Sequence, residues 1–125
     1  MKFLLDTHIL LWWLKADRLL SSNAQQIIEN TSNQILVSSV NLWEIALKNS
    51  LGRLEIDLDD LRHCIDQSGF DYLPILPAHA LAISGLKPLH CDPFDRMLVA
   101  QSRIESARLL THDALVASYE HTILV

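Results

Sequence analysis

Lys2-Phe3-Leu4-Leu5-Asp6-Thr7-His8-Ile9-Leu10-Leu11-Trp12-Trp13-Leu14-Lys15-Ala16, near the start of the chain, holds a short run over 2–5 that is apolar from Phe3 to Leu5, an acid, and a longer apolar stretch. The short run is the length of a buried strand. Thr7 is a residue type that caps helices, so the spacing predicts a helix over 8–16. A strand that ends on an acid and turns at once into a helix is the repeating unit of an α/β sheet.

The same alternation continues along the chain. Gln34-Ile35-Leu36-Val37-Ser38 is a second strand candidate, preceded by a helix over 23–30 that Ser21 or Ser22 can cap. A longer helix is expected over about 40–51, ending at Gly52, the residue type most tolerant of the position after a helix C-cap. Asp57 opens a helix to about Gln67, stopped by Ser68-Gly69. Tyr72 to Leu76 reads as a third strand. Pro77 suits the first position of a short helix that Gly85 ends. Asp92-Pro93-Phe94-Asp95 begins a helix to about Glu105, Arg108 to Thr111 is a fourth strand, and Asp113 caps a last short helix before a fifth strand over 122–124. Short apolar strands separated by helices predict a mostly parallel sheet of four or five strands with helices on both faces.

The chain has 125 residues, half of them hydrophobic and a fifth charged, with three glycines and four prolines. That length suits one domain over residues 1–125, and the balance excludes disorder and a many-turned all-β fold. Cys64 and Cys91 form no CxxC pair and read as reduced thiols. The opening apolar run is broken by Asp6 too early for a signal peptide, and no stretch approaches the ~20 apolar residues of a membrane span. A cytoplasmic protein is the expectation. The formal net charge of −5 speaks against a nucleic-acid binder that works through a broad basic surface.

In open α/β sheets ligands gather at the carboxyl ends of the strands. Asp6 follows the first strand, and Asp113 follows the fourth by one residue and a histidine. Asp92 and Asp95 lie in the first turn of a helix, and Glu44 lies about one turn into the helix after the second strand. Acids distant in sequence therefore converge on one rim. Val40, Trp43, Leu47 and Leu51 recur at spacings of 3, 4 and 4, which predicts a core-facing stripe bordered by Glu44. An acid there costs several kcal/mol unless it is paired or binds a metal. An i,i+4 pair with Lys48, worth about 0.2–0.5 kcal/mol, does not account for it.

Each acid has a competing explanation. Asp6 could accept amide hydrogen bonds from the helix it precedes, although Thr7 can serve as that cap. Asp113 could be an N-cap alone. Asp92 followed by Pro93, with an acid at Asp95, is a helix start that needs no chemistry, so Asp92 stands between cap and ligand. Several carboxylates on one rim repel each other, and a hard cation such as Mg²⁺ or Mn²⁺ relieves that repulsion. The chain has ten cations against fifteen acids; with Asp6, Glu44, Asp95 and Asp113 set aside the balance is ten against eleven. His8, His90 and His112 fall close to candidate acids and read mainly as polar surface residues. Of Trp12 and Trp13, adjacent on a helix, one is expected in the core and one at an interface.

Four segments resemble the PIN-domain family, in particular the VapC-like toxin ribonucleases of type II toxin–antitoxin pairs in their DPFDR subgroup. LLDTHILLWWL (4–14) is similar to the first acidic motif and places Asp6. VSSVNLWEIALKNSLGRL (37–54) is similar to the second and places Glu44. HCDPFDRMLVAQS (90–102) is similar to the third and places Asp95, with Asp92 as an extra acid that could share the metal role. LLTHDALV (109–116) is similar to the fourth and places Asp113, with His112 where many relatives carry Asn or Thr. The resemblance implies a PIN-like three-layer sandwich and an RNA endonuclease dependent on Mg²⁺ or Mn²⁺, with metal-activated water as nucleophile. Asp6, Glu44, Asp95 and Asp113 would hold the metal, with Thr7 supporting them by a hydrogen bond. It also implies an RNA substrate, an inhibitory antitoxin partner and a homodimer.

Three other readings compete. A non-catalytic PIN-like module would bind RNA or protein without cutting. A receiver-type phosphoacceptor needs an Asp after its third strand and a Lys after its fifth, and residues 73–77 and 122–125 supply neither. A nucleotide-binding module needs a glycine-rich phosphate loop, and none is present.

Overall fold

A computed structural model describes residues 1–125. In chain order it contains β1 (Lys2–Leu5), α1 (Thr7–Leu14), α2 (Ser22–Glu29), β2 (Gln34–Ser38), α3 (Ser39–Ser50), α4 (Leu58–Gln67), β3 (Asp71–Leu73), α5 (Pro77–Ala82), α6 (Pro93–Ile104), β4 (Arg108–Thr111) and β5 (Thr122–Leu124). Single 3₁₀ turns cover Ile83–Gly85 and Val116–Ser118. The five strands form one sheet in the order β3-β2-β1-β4-β5, and every pairing is parallel.

The sheet follows from the strand period of two, which sends alternate side chains to opposite faces. Phe3, Leu5, Ile35, Val37 and Leu110 enter one core with Ile9 and Leu10 of α1, Ile28 of α2, and Leu61 and Ile65 of α4. Leu4, Leu36 and Leu109 enter the other with Leu98, Val99 and Ala100 of α6. Two apolar cores with a sheet between them make three layers. No helix is long and apolar enough to cross a membrane.

The topology also locates the rim. From β1 the chain builds outward through β2 and β3, then returns to place β4 on the opposite side of β1. The carboxyl ends of β1 and β4 are therefore the point where the winding reverses, the place where α/β sheets open a crevice. The Asp6 amide donates to the Leu110 carbonyl there at 3.0 Å.

Local expectations differ from the structure in four places. The N-cap of α1 is Asp6, whose Oδ1 accepts the His8 amide at 2.8 Å; Thr7 is the first residue of the helix. The third strand ends at Leu73, because Pro74 has no N–H to continue a ladder. Trp12 and Trp13 are both half-buried, and Trp13 donates to Ser68 Oγ at 3.2 Å. The largest correction concerns α3. Of the expected stripe only Val40 is buried, while Trp43, Leu47 and Leu51 are 55%, 40% and 58% exposed. The face that α3 turns inward carries Val40, Asn41, Glu44 and Ile45. Gly52 does follow the helix in the left-handed region, at φ 71°.

Candidate active site

Asn41 explains why a polar residue sits inside α3. Its Oδ1 accepts the Ser38 amide at 2.8 Å, and its Nδ2 donates to the Leu5 carbonyl and to Thr7 Oγ1, both at 3.0 Å. One side chain thus fastens the start of α3 to the end of β1. Glu44, one turn further along α3, is thereby carried to the rim beside Asp6.

Asp6 is 4% exposed, and both its oxygens are engaged: Oδ1 by the His8 amide, Oδ2 by the Thr111 hydroxyl at 2.7 Å. Burial pushes its pKa up, the Thr111 and His8 hydrogen bonds pull it back, and the charge of Glu44 pushes it up again. Thr7 Oγ1, expected to support the acids, accepts the Asn41 Nδ2 hydrogen bond; the threonine that donates to Asp6 is Thr111.

Glu44 is 5% exposed. The expected pair with Lys48 forms, Nζ to Oε2 at 2.6 Å, and satisfies one oxygen. The other, Oε1, is buried with no hydrogen-bond partner. A buried carboxylate oxygen without a donor costs a desolvation penalty that a weak i,i+4 pair does not offset.

Asp95 lies in the first turn of α6, its Oδ2 2.7 Å from His90 Nε2. Its pKa is raised to about 6, mainly by burial, with the His90 hydrogen bond opposing and the charges of Asp92, Asp6 and Glu44 adding to the rise. The acids are thus close enough to act on each other. Asp113 follows β4; its amide donates to Thr111 Oγ1 at 3.0 Å, and its Oδ1 accepts the Leu115 amide at 2.8 Å. One ligand atom from each of His90, Asp95 and Asp113 lies within 4.8 Å of the others. Asp6, His8, Trp12, His112 and Asp113 line a shared cavity of about 270 Å³.

Asp92 lies near enough for its charge to act on Asp95. It is the N-cap of α6, and its Oδ1 accepts the amides of Phe94 at 2.8 Å and Asp95 at 3.1 Å.

The loop that delivers His90 is held by residues the sequence reading passed over. Tyr119 Oη accepts the amides of Leu89 and His90, each at 3.1 Å, and donates to the Lys87 carbonyl at 2.7 Å. Arg96 Nη1 donates to Tyr119 Oη at 3.1 Å and to the His90 carbonyl at 3.2 Å. Arg96 follows Asp95 directly, so its position in DPFDR was the available signal. The signal for Thr111 was a hydroxyl ending a strand two residues before Asp113.

Clustered carboxylates, one with an orphaned buried oxygen and one that holds its proton to about pH 6, form an oxygen-rich donor set of the kind hard divalent cations prefer. The residues present fit such an ion.

Comparison with known proteins points the same way. Residues 3–120 match the family described as PIN domain. "Ribonuclease VapC22" of Mycobacterium tuberculosis (strain ATCC 25618 / H37Rv) is 28% identical over 124 residues, which cover 94% of this chain and 92% of that protein. Among solved structures, VapBC2 from Rickettsia felis bound to a DNA fragment from its promoter superposes with a TM-score of 0.72 at 19% identity. That match covers 100% of this chain and 98% of the other. A toxin–antitoxin complex from Klebsiella pneumoniae superposes with a TM-score of 0.67 at 18% identity, covering 97% and 95%.

Proposed function

The chain belongs to the PIN-domain family, among its VapC-like members, and from that membership we propose that it is a divalent-metal-dependent endoribonuclease, the toxin of a type II toxin–antitoxin pair. The observation that carries the metal dependence is Glu44 Oε1, a buried carboxylate oxygen without a donor, in a rim that also holds Asp6 and Asp95. The relative named as a ribonuclease supports the substrate class, and the two toxin–antitoxin structures support an antitoxin partner.

In this reading Asp6, Glu44, Asp95 and Asp113 hold Mg²⁺ or Mn²⁺, and Asp92 caps α6. Hydrolysis of a phosphodiester needs a water aligned with the P–O bond that breaks and countercharge for the phosphoryl oxygens. A divalent cation held by these acids would supply that countercharge and lower the pKa of the attacking water. The chain's own residues prepare the place. Thr111 and the His8 amide hold the two oxygens of Asp6 in one orientation. Lys48 occupies Oε2 of Glu44 and leaves Oε1 free to bind. His90 Nε2 holds Oδ2 of Asp95 until a ligand displaces it.

The proposal extends to the surroundings: one PIN-like domain over residues 1–125, working in the cytoplasm as a homodimer. An antitoxin would place a basic side chain among the carboxylates, where a cation mimics the metal's charge.

Calorimetric titration with Mn²⁺ alongside RNA cleavage tests the proposal. Mn²⁺ binding with cleavage that EDTA abolishes supports it. Retained RNA binding without cleavage at any Mn²⁺ concentration would instead indicate a non-catalytic PIN-like module.

A further inference from the structure

Beside the acidic rim lies a second cavity of about 400 Å³ with the opposite charge. Lys15, Lys48 and Arg53 line it, against the single carboxylate of Asp17, and Trp12 and His8 form part of its wall. Asp17 is engaged locally, its Oδ1 accepting the Leu19 amide at 2.8 Å. Lys48 is committed to Glu44. Lys15 and Arg53 are exposed, and neither side chain forms an ion pair or a hydrogen bond within the protein. In a chain with net charge −5, two exposed cations without internal partners at one cavity form a local positive patch that attracts an anionic group.

The two cavities adjoin. His8 and Trp12 line both, so the wall of the basic cavity is also the wall of the cavity that holds Asp6 and Asp113. Trp12 is set in place by His112, which packs edge-on at 5.2 Å between ring centroids, and by His8 at 5.9 Å. A phosphate chain needs cations, a base needs an aromatic surface, and the scissile phosphate needs the acidic centre. All three occur in these two adjoining cavities.

We propose that the basic cavity is the subsite for the nucleotide next to the scissile phosphate of a single-stranded RNA, with Lys15 and Arg53 on backbone phosphate and Trp12 stacked on the base. The assignment rests on the ribonuclease reading and adds to it the residues of this chain that hold the strand beside the acidic centre. An acidic peptide would also satisfy the cations, and competition by oligoglutamate distinguishes it from RNA.

The test compares wild type, Lys15→Ala/Arg53→Ala, Arg53→Lys and Trp12→Leu. Cleavage of a single-stranded RNA decamer with Mn²⁺ gives kcat and KM; anisotropy of the same labelled decamer with Ca²⁺ gives affinity against salt; calorimetry gives Mn²⁺ affinity. Loss of two phosphate contacts should lower the slope of log affinity against log salt by about 1.4. KM should rise, while kcat and Mn²⁺ affinity hold. Arg53→Lys should keep the wild-type slope, and Trp12→Leu should weaken decamer binding about tenfold without changing the slope. If wild type cleaves the decamer while the double variant keeps its KM and salt slope, the subsite is overturned and the nuclease reading stands. An oligoglutamate peptide that competes as well as the decamer also overturns the subsite. A wild type that neither binds nor cuts RNA overturns both.

Discussion

Thr111 donates its hydroxyl to Oδ2 of Asp6 at 2.7 Å, joining the carboxyl ends of β4 and β1 across 105 residues of sequence. The same oxygen of Thr111 accepts the Asp113 amide at 3.0 Å, so one side chain orients two of the candidate ligands. Thr111 is fully buried, which makes each of these bonds costly to lose.

Thr111→Val keeps the shape and removes both bonds. The expected loss of stability is about 1–3 kcal/mol, read by denaturant or thermal melts. Groups that orient metal ligands typically contribute about 10–100-fold in affinity, so Mn²⁺ binding should weaken by that order. Unchanged Mn²⁺ affinity in a folded Thr111→Val would separate Thr111 from the centre.

Asp92 and Asp95 are three residues apart, and the proposal gives them different roles. Asp92→Ser keeps a cap for the Phe94 and Asp95 amides, so stability and cleavage should both persist. Asp92→Ala should cost about 1 kcal/mol of stability. Asp95→Asn removes a ligand and relieves carboxylate repulsion, so metal-free stability should hold or rise while cleavage collapses. Loss of cleavage in a stable Asp92→Ser would move Asp92 into the site.

The acids also set a pH dependence. In the folded metal-free protein Asp95 titrates at about 6 instead of its ordinary 3.8, so between those values the folded state binds more protons than the unfolded chain. Stability should therefore fall as pH rises through that window, by roughly 2–3 kcal/mol in total. Asp6, whose pKa burial also raises, adds a slope of the same sign. Asp95→Asn should flatten most of the slope in melts from pH 4 to 7. Mn²⁺ affinity should move the opposite way, rising through pH 6 as the proton ceases to compete. A melting temperature that rises between pH 4 and 6 would contradict the assignment.

The arrangement of the elements was legible in the sequence because the strands Phe3-Leu4-Leu5, Ile35-Leu36-Val37 and Leu109-Leu110 are continuous apolar runs, as parallel strands buried on both faces must be. The packing of α3 was not. Trp43 and Leu47 fit the helical period as well as any core stripe, yet they face outward, because Asn41 is held inward by the Leu5 carbonyl and Thr7 Oγ1, and Glu44 lies on the same face of the helix. Periodicity counts apolar residues and is blind to polar partners supplied from elsewhere in the fold. The cap of α1 slipped by one residue for a related reason. Both Asp6 and Thr7 can cap, and what assigns the task to Asp6 is the bond of Thr7 to Asn41, 34 residues away. His90 looked like a surface residue until Tyr119 and Arg96 folded its loop against Asp95.

The central claim is that the acidic rim binds a divalent cation and cuts RNA with it. The most direct measurement is single-turnover cleavage of labelled RNA by wild type and Asp6→Asn across a Mn²⁺ titration, with an EDTA control and a melt of each protein. The account expects wild-type cleavage to saturate with Mn²⁺ and vanish in EDTA, and Asp6→Asn to stay folded and inactive throughout. Wild-type cleavage that persists in excess EDTA, or an Asp6→Asn protein that cuts at the wild-type rate, would contradict it.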